Sequence, residues 1–166
     1  VIDGNPGLIA EAAKIPLSVV ENLRDEWLRN RIFNASYTWL ASYELTHHEM
    51  TRLINRFGNK VVAILKNDPY LIAEEIDGFG FHRVDVIARK LGTPKDNPGR
   101  IRAGLVHCIY KRRDDGDCWV DYEALIDLAN DILYLDNLNS RELIEQVLSE
   151  LIREKVLIGA TFDNHI

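Results

Sequence analysis

One short phrase occurs twice in this chain. NPGLIAE starts at Asn5 and DPYLIAE at Asp68, an offset of 63 residues, and this near-repetition constrains the fold more than any other feature of the sequence. Self-similarity at a fixed spacing marks a supersecondary unit used more than once. In each copy a proline stands at a plausible first helical position behind a capping side chain, Asn5 before Pro6 and Asp68 before Pro69, so each copy is expected to open a short helix. The copies then diverge. The first continues as AAKIPLSVVENLRDEWL and the second as EIDGFGFHRVDVIARKLG, with glycines in the turn of the second only.

Apolar spacing predicts helices through most of the chain. Val19, Val20, Leu23 and Trp27 share one face of a helix over 18–30, and Ile32, Tyr37, Trp39 and Leu40 mark a second over 31–43. Thr46 to Glu49 (THHE) has capping-box spacing and opens a helix that ends at Gly58, which makes His47 and His48 exposed first-turn residues rather than ligands. A helix from Phe81 to Leu91 is closed by Gly92. The first 92 residues thus form a series of helix, tight turn, helix units with turns KIP (14–16), ELT (44–46) and GFG (78–80). Apolar residues follow four and seven places on, Val20 and Leu23 in the first and Val84 and Ile87 in the third.

The charge is uneven. The net value of −6 taken alone argues against a nucleic-acid partner, yet residues 81–113 hold nine Lys/Arg against Asp85 and Asp96, a local +7 that leaves −13 for the rest. At 166 residues and 46% hydrophobic content the chain can bury one large or two small cores. No apolar run is long enough for a membrane span, and the opening VIDGNPG has neither an initiator Met nor a signal-peptide pattern, so an excised piece of a longer protein is expected, with the cysteine usage pointing to the cytoplasm. Cys108 and Cys118 lack metal-ligand spacing and are expected to be buried free thiols.

The third turn carries the chemistry. In IDGFGFHRVDVIA, Gly78 and Gly80 flank Phe79, and the stretch resembles the helix-hairpin-helix motif. The glycines permit positive φ and let a phosphate approach the backbone N–H groups at the next helix's N-terminus, where the dipole is positive, while Phe79 anchors the turn in the core. Val84 stands where the motif usually has Ala, which implies slightly splayed helices.

The wider stretch NRFGNKVVAILKNDPYLIAEEIDGFGFHRVDVIARKLG, followed by NPGRIRAGLVHCIYKRRDDGDCWV, resembles the N-terminal region of the RecD-like ATP-dependent DNA helicases (exodeoxyribonuclease V alpha-chain-like). The resemblance is specific from about Phe57 to Val120 and weaker from Val1 to Tyr43, where KIP has lost both glycines. It implies an all-α fold with tandem helix-hairpin-helix units, a DNA partner engaged as single strand or duplex fork, and motor domains in the same chain. The expected DNA-binding residues are Gly78, Phe79, Gly80, Phe81, His82, Arg83 and Lys90. The parent enzyme would hydrolyse ATP with magnesium and unwind DNA 5′ to 3′. This chain has no GxxxxGK(S/T) phosphate loop, so it is expected to be non-catalytic and to hold no cofactor itself.

Residues 97–166 read differently from 1–96 and are expected to form a second domain. Pro98 starts a helix to about Arg113, CWV (118–120) reads as a strand, Asp121 caps a helix through Leu135, NSRE (139–142) opens a helix to about Lys155, and VLIGATF (156–162) reads as a terminal strand. That order resembles a small winged-helix-like module with a minor β-hairpin. Its third helix presents Glu142, Glu145, Glu150 and Glu154 against Arg141, Arg153 and Lys155 and would repel phosphates, which points to packing or a protein contact. Two other functions remain open at this level: a protein-interaction scaffold, and a helix-hairpin-helix DNA glycosylase using Asp96.

Overall fold

A computed structural model describes residues 5–136 and 138–160. Within them the chain forms nine α-helices and no strand. By contact it divides into two compact units, residues 1–64 and 65–166.

In the first unit, α1 (Pro6–Ala13) starts where Asn5 accepts from the N–H of Gly7 at 2.9 Å. It turns into α2, a single 25-residue helix, Leu17–Ala41. The two helices expected over 18–30 and 31–43 are thus continuous. No Pro or Gly interrupts them, and the shift in apolar phase near Asn30 moves the packed face around the helix without ending it. Val20, Ser36 and Leu40 are buried on α2, whereas Leu23, expected inward, is 54% exposed. α3 (His47–Phe57) packs against α2 through Met50, Leu53 and Ile54. Its capping box forms as expected, and Gly58 ends it with φ 55°. A 3-10 turn (Gly58–Lys60) leads into α4 (Val61–Asn67).

In the second unit, α5 (Leu71–Glu75) is shorter than the sequence implies. Pro69 and Tyr70 form a turn, and Tyr70, not Asp68, occupies the cap position. The chain continues through α6 (Phe81–Lys90), α7 (Pro98–Asp114), α8 (Tyr122–Leu133) and α9 (Ser140–Arg153). Asn97 caps α7 by accepting from the N–H of Arg100 at 3.1 Å, and Asp121 caps α8 by accepting from Glu123 and Ala124 at 3.0 and 3.2 Å. α7, α8 and α9 pack mutually. The α7–α8 contact depends on Gly104, because a Cβ there would lie 2.7 Å from Leu133 Cδ2. α9 buries Ile144, Val147, Leu148 and Leu151.

The strand readings fail among the described residues. Residues 118–120 are irregular, and 156–160 form no ladder; residues 161 and 162 lie outside the described residues. Short apolar runs of this kind carry no periodicity to separate a strand from a packed loop. The expected boundary at 96/97 falls inside the second unit, where Arg100 reaches back to Asp85 on α6. Cys108 is buried, and burial pushes its thiol up to about 11. Cys118, expected to be buried, is exposed.

Candidate nucleic-acid interface

The three turns singled out in the sequence share one backbone form. Each places a residue with positive φ two positions before the next helix's N-cap: Lys14 (56°), Glu44 (57°) and Gly78 (80°). Each then reaches an extended N-cap, Pro16 at φ −57°, ψ 139°, Thr46 at −69°, 157°, and Gly80 at −69°, 161°. The apolar residue between points inward to different depths, since Ile15 is half-buried, Leu45 is 7% exposed and Phe79 is 2% exposed. A left-handed residue other than Gly costs about 1–2 kcal/mol; Gly78 avoids that cost, whereas Lys14 and Glu44 bear it.

The helix starts that follow differ in what an anion would meet. The first N–H groups of any helix have no partner within the helix. At α2 the cap is Pro16, which has no N–H and places a ring at the mouth. At α3 the position is already taken by a carboxylate. Glu49 Oε2 accepts from the Thr46 backbone N–H at 2.7 Å and from the Thr46 hydroxyl at 2.9 Å, while the Glu49 N–H donates to Thr46 Oγ1 at 3.2 Å. At α6 the cap is Gly80, with no side chain and nothing within 4 Å of where a Cβ would stand. The turn behind it is closed by the Phe79 N–H donating to the Ile76 carbonyl at 3.1 Å. Of the three helix starts, that of α6 presents donors and positive dipole to open space.

Gly78, Phe79, Gly80, Phe81, His82 and Arg83 are brought together there. Phe79 and Phe81 are 2% and 3% exposed, so they offer only backbone; His82 is exposed and Arg83 half-buried. Lys90 lies in the last turn of α6, roughly 13 Å along the axis from Phe81 at 1.5 Å per residue, and does not converge on the same point. Val84 is fully buried.

α6 is held by a buried network. Arg100, 5% exposed, forms a forked pair with Asp85 (Nε to Oδ1 2.7 Å, Nη2 to Oδ2 2.9 Å) and donates through Nη1 to the carbonyls of Lys95 and Leu133 at 2.9 and 2.8 Å. The Tyr70 hydroxyl donates to Asp85 Oδ1 at 2.6 Å. Burial and the bond to Asp85 raise the Tyr70 phenol.

The basic segment is therefore less positive than its sequence. Besides Arg100, Lys95 pairs with Asp136, Arg102 with Glu154 and Glu74, Arg112 with Asp117 and Arg113 with Asp114. Exposed pairs of this type are worth at most about 1 kcal/mol and exchange readily for a phosphate. The sequence reading missed His107, whose ring stacks on Phe81 at 5.7 Å and meets His82 edge-on at 4.8 Å. Burial, then the charges of His82 and Lys111, lower its pKa. Its spacing from Tyr110 and Arg113 on one α7 face was the available signal. Asp96 is exposed in the α6–α7 loop. Among the described residues no group of three His, Cys, Asp or Glu is placed to hold a metal, and no helix is long and apolar enough to cross a membrane.

No curated protein and no solved structure matches the chain. The profile of the ATP-dependent RecD2 DNA helicase HHH domain, however, matches residues 29–119, more than half of the sequence, and includes the second and third turns, α6 and α7. With the turn, the open helix start and the Tyr70, Asp85 and Arg100 side chains that brace it all inside the matched region, the chain belongs to the HHH domain family of the ATP-dependent RecD2 DNA helicases.

Proposed function

We propose that this chain is a non-catalytic DNA-binding region of a RecD-like helicase that grips the phosphate backbone without reading sequence. The observation that carries the reading is the α6 N-terminus at Gly80, open to solvent beside His82 and Arg83. Backbone donors recognise a phosphate and no base edge, which is why such a contact positions DNA without specifying its sequence. Gly78 to Phe81 hold one phosphate, Arg83 a neighbour, and Lys90 a more distant one. ATP and magnesium are assigned to the motor domains of the parent enzyme, which moves 5′ to 3′ in the cytoplasm, because no phosphate loop occurs here. The purified chain should show no DNA-stimulated ATP turnover; measurable turnover would contradict this assignment.

Salt titration tests the phosphate grip. The binding constant should fall with salt at a log-log slope of roughly −0.9 per duplex phosphate neutralised, or about −0.7 on single strands. Arg83→Ala should reduce the slope by roughly one unit and weaken two unrelated sequences alike. Gly80→Val should fold normally, since its backbone is extended and a Cβ meets nothing, yet block the N–H groups and lower affinity roughly tenfold, the loss of one charge-assisted contact. A loss confined to one sequence, or an unchanged slope, sinks the reading.

A scaffold function is favoured by one observation, the exposed apolar face of α2 formed by Val19, Leu23 and Trp27. Absence of any salt-dependent DNA binding would decide in its favour.

A further inference from the structure

Beside the third turn lies a groove of about 590 Å³. One wall is α7, where Ala103, Val106, His107, Tyr110 and Arg113 fall on a single face because they are spaced by three, one, three and three residues. Gly80 and Phe81 at the start of α6 also line the groove. Tyr110 is 52% exposed, and the Arg113 guanidinium lies 4.7 Å from its ring centroid. Together they offer a flat π surface edged by a guanidinium whose charge Asp114 partly offsets at 3.3 Å, and bases of single strands stack on such aromatic and guanidinium planes. The His107 ring lining the groove is fixed against Phe81, which is itself stacked on Tyr70 at 6.2 Å.

We propose that this groove takes the base of a single-stranded nucleotide against Tyr110 and Arg113 while the Gly80 turn holds a phosphate of the same strand. The inference rests on the phosphate-binding reading of that turn and adds single-strand preference to it. Two carboxylates decide between a base and a second phosphate as the occupant. Glu74 and Asp77 line the groove, Glu74 lying 3.8 Å from Arg102. Carboxylates disfavour phosphate but accept hydrogen bonds from the exocyclic amino group of a base such as cytosine. A duplex keeps its bases stacked inside and has none to give, so the occupant is an unpaired strand.

The test compares a short oligodeoxycytidylate with an abasic strand of equal length, by fluorescence anisotropy on the whole chain. The wild type should prefer the base-bearing strand roughly tenfold, within the range of one base-aromatic stack. Tyr110→Ala should bring that ratio close to one, and Tyr110→Phe, which keeps the ring, should preserve it. Gly80→Val should weaken both strands by a similar factor. Equal binding of the two strands by the wild type, or a ratio that survives Tyr110→Ala, overturns base stacking; the second result would mark the groove as the seat of something else, such as a peptide segment. Gly80→Val without effect on either strand overturns the phosphate reading instead, and with it the joint site. Failure of both strands to bind overturns both.

Discussion

Arg100→Ala should lower the unfolding free energy by about 3–5 kcal/mol, the usual loss when one member of a buried ion pair is removed and the other stays behind. Asp85 would remain, 17% exposed, with the hydrogen bond from the Tyr70 hydroxyl and the nearby charge of Arg89, and the carbonyls of Lys95 and Leu133 would each lose a donor. Arg100→Lys should not restore the loss, because an ammonium cannot make the forked contact and reach both carbonyls. The pH dependence follows from Asp85. Burial pushes its carboxyl up, but hydrogen bonds from Arg100 and Tyr70 outweigh that and hold it below its ordinary 3.8. A carboxylate depressed on folding contributes stability that is complete above its unfolded value and lost as pH falls through the folded one. The gap between wild type and Arg100→Ala should therefore be full at neutral pH and narrow below 3.8, where Asp85 in the variant takes up a proton at little cost. Urea denaturation at the two pH values measures it. A neutral-pH loss under about 1 kcal/mol, the worth of an exposed pair, would refute the bracing role.

Phe79→Ala should cost about 3–5 kcal/mol as a large-to-small change at a fully packed site. The equivalent residues of the other turns supply an internal control. Leu45→Ala should cost about 2–5 kcal/mol, and Ile15→Ala less than either, since Ile15 is only half-buried and leaves a smaller cavity. The order Phe79, Leu45, Ile15 in denaturant midpoints checks whether the shared turn is anchored by its middle side chain. Equal losses at all three would show that the backbone form, not the anchor, sets the stability. DNA affinity should fall with Phe79→Ala beyond the fraction unfolded, because the Gly80 donors lose the rigid seat that aims them.

The repeated unit was legible because its markers are local. Caps at Asn5, Thr46 and Asp121, and the turn triplets at 14–16, 44–46 and 78–80, follow from residue types that act within a few positions. What the sequence obscured depends on distant partners. Arg100 counts as a surface cation until Asp85 and Leu133 are seen around it, and the positive run over 81–113 loses much of its charge to carboxylates at 114, 117, 136 and 154. The strands expected at 118–120 and 156–162 rested on short apolar runs without period, and the break expected near Asn30 rested on a phase shift that a long helix absorbs. Tyr110 and Arg113 stood in plain view at helical spacing, but their meaning came from the groove across from them.

The common backbone of the three turns, with glycine at only one, separates two heritable properties that are easily taken for one. The bend itself survives lysine or glutamate at its left-handed position, so the architecture tolerates drift there. The capacity to receive an anion depends instead on what occupies the following cap, where Pro16, Thr46 with Glu49, and Gly80 give three different outcomes. A duplicated unit can therefore exchange recruitment for scaffolding, or regain it, through substitutions at one or two codons without passing through an unfolded ancestor.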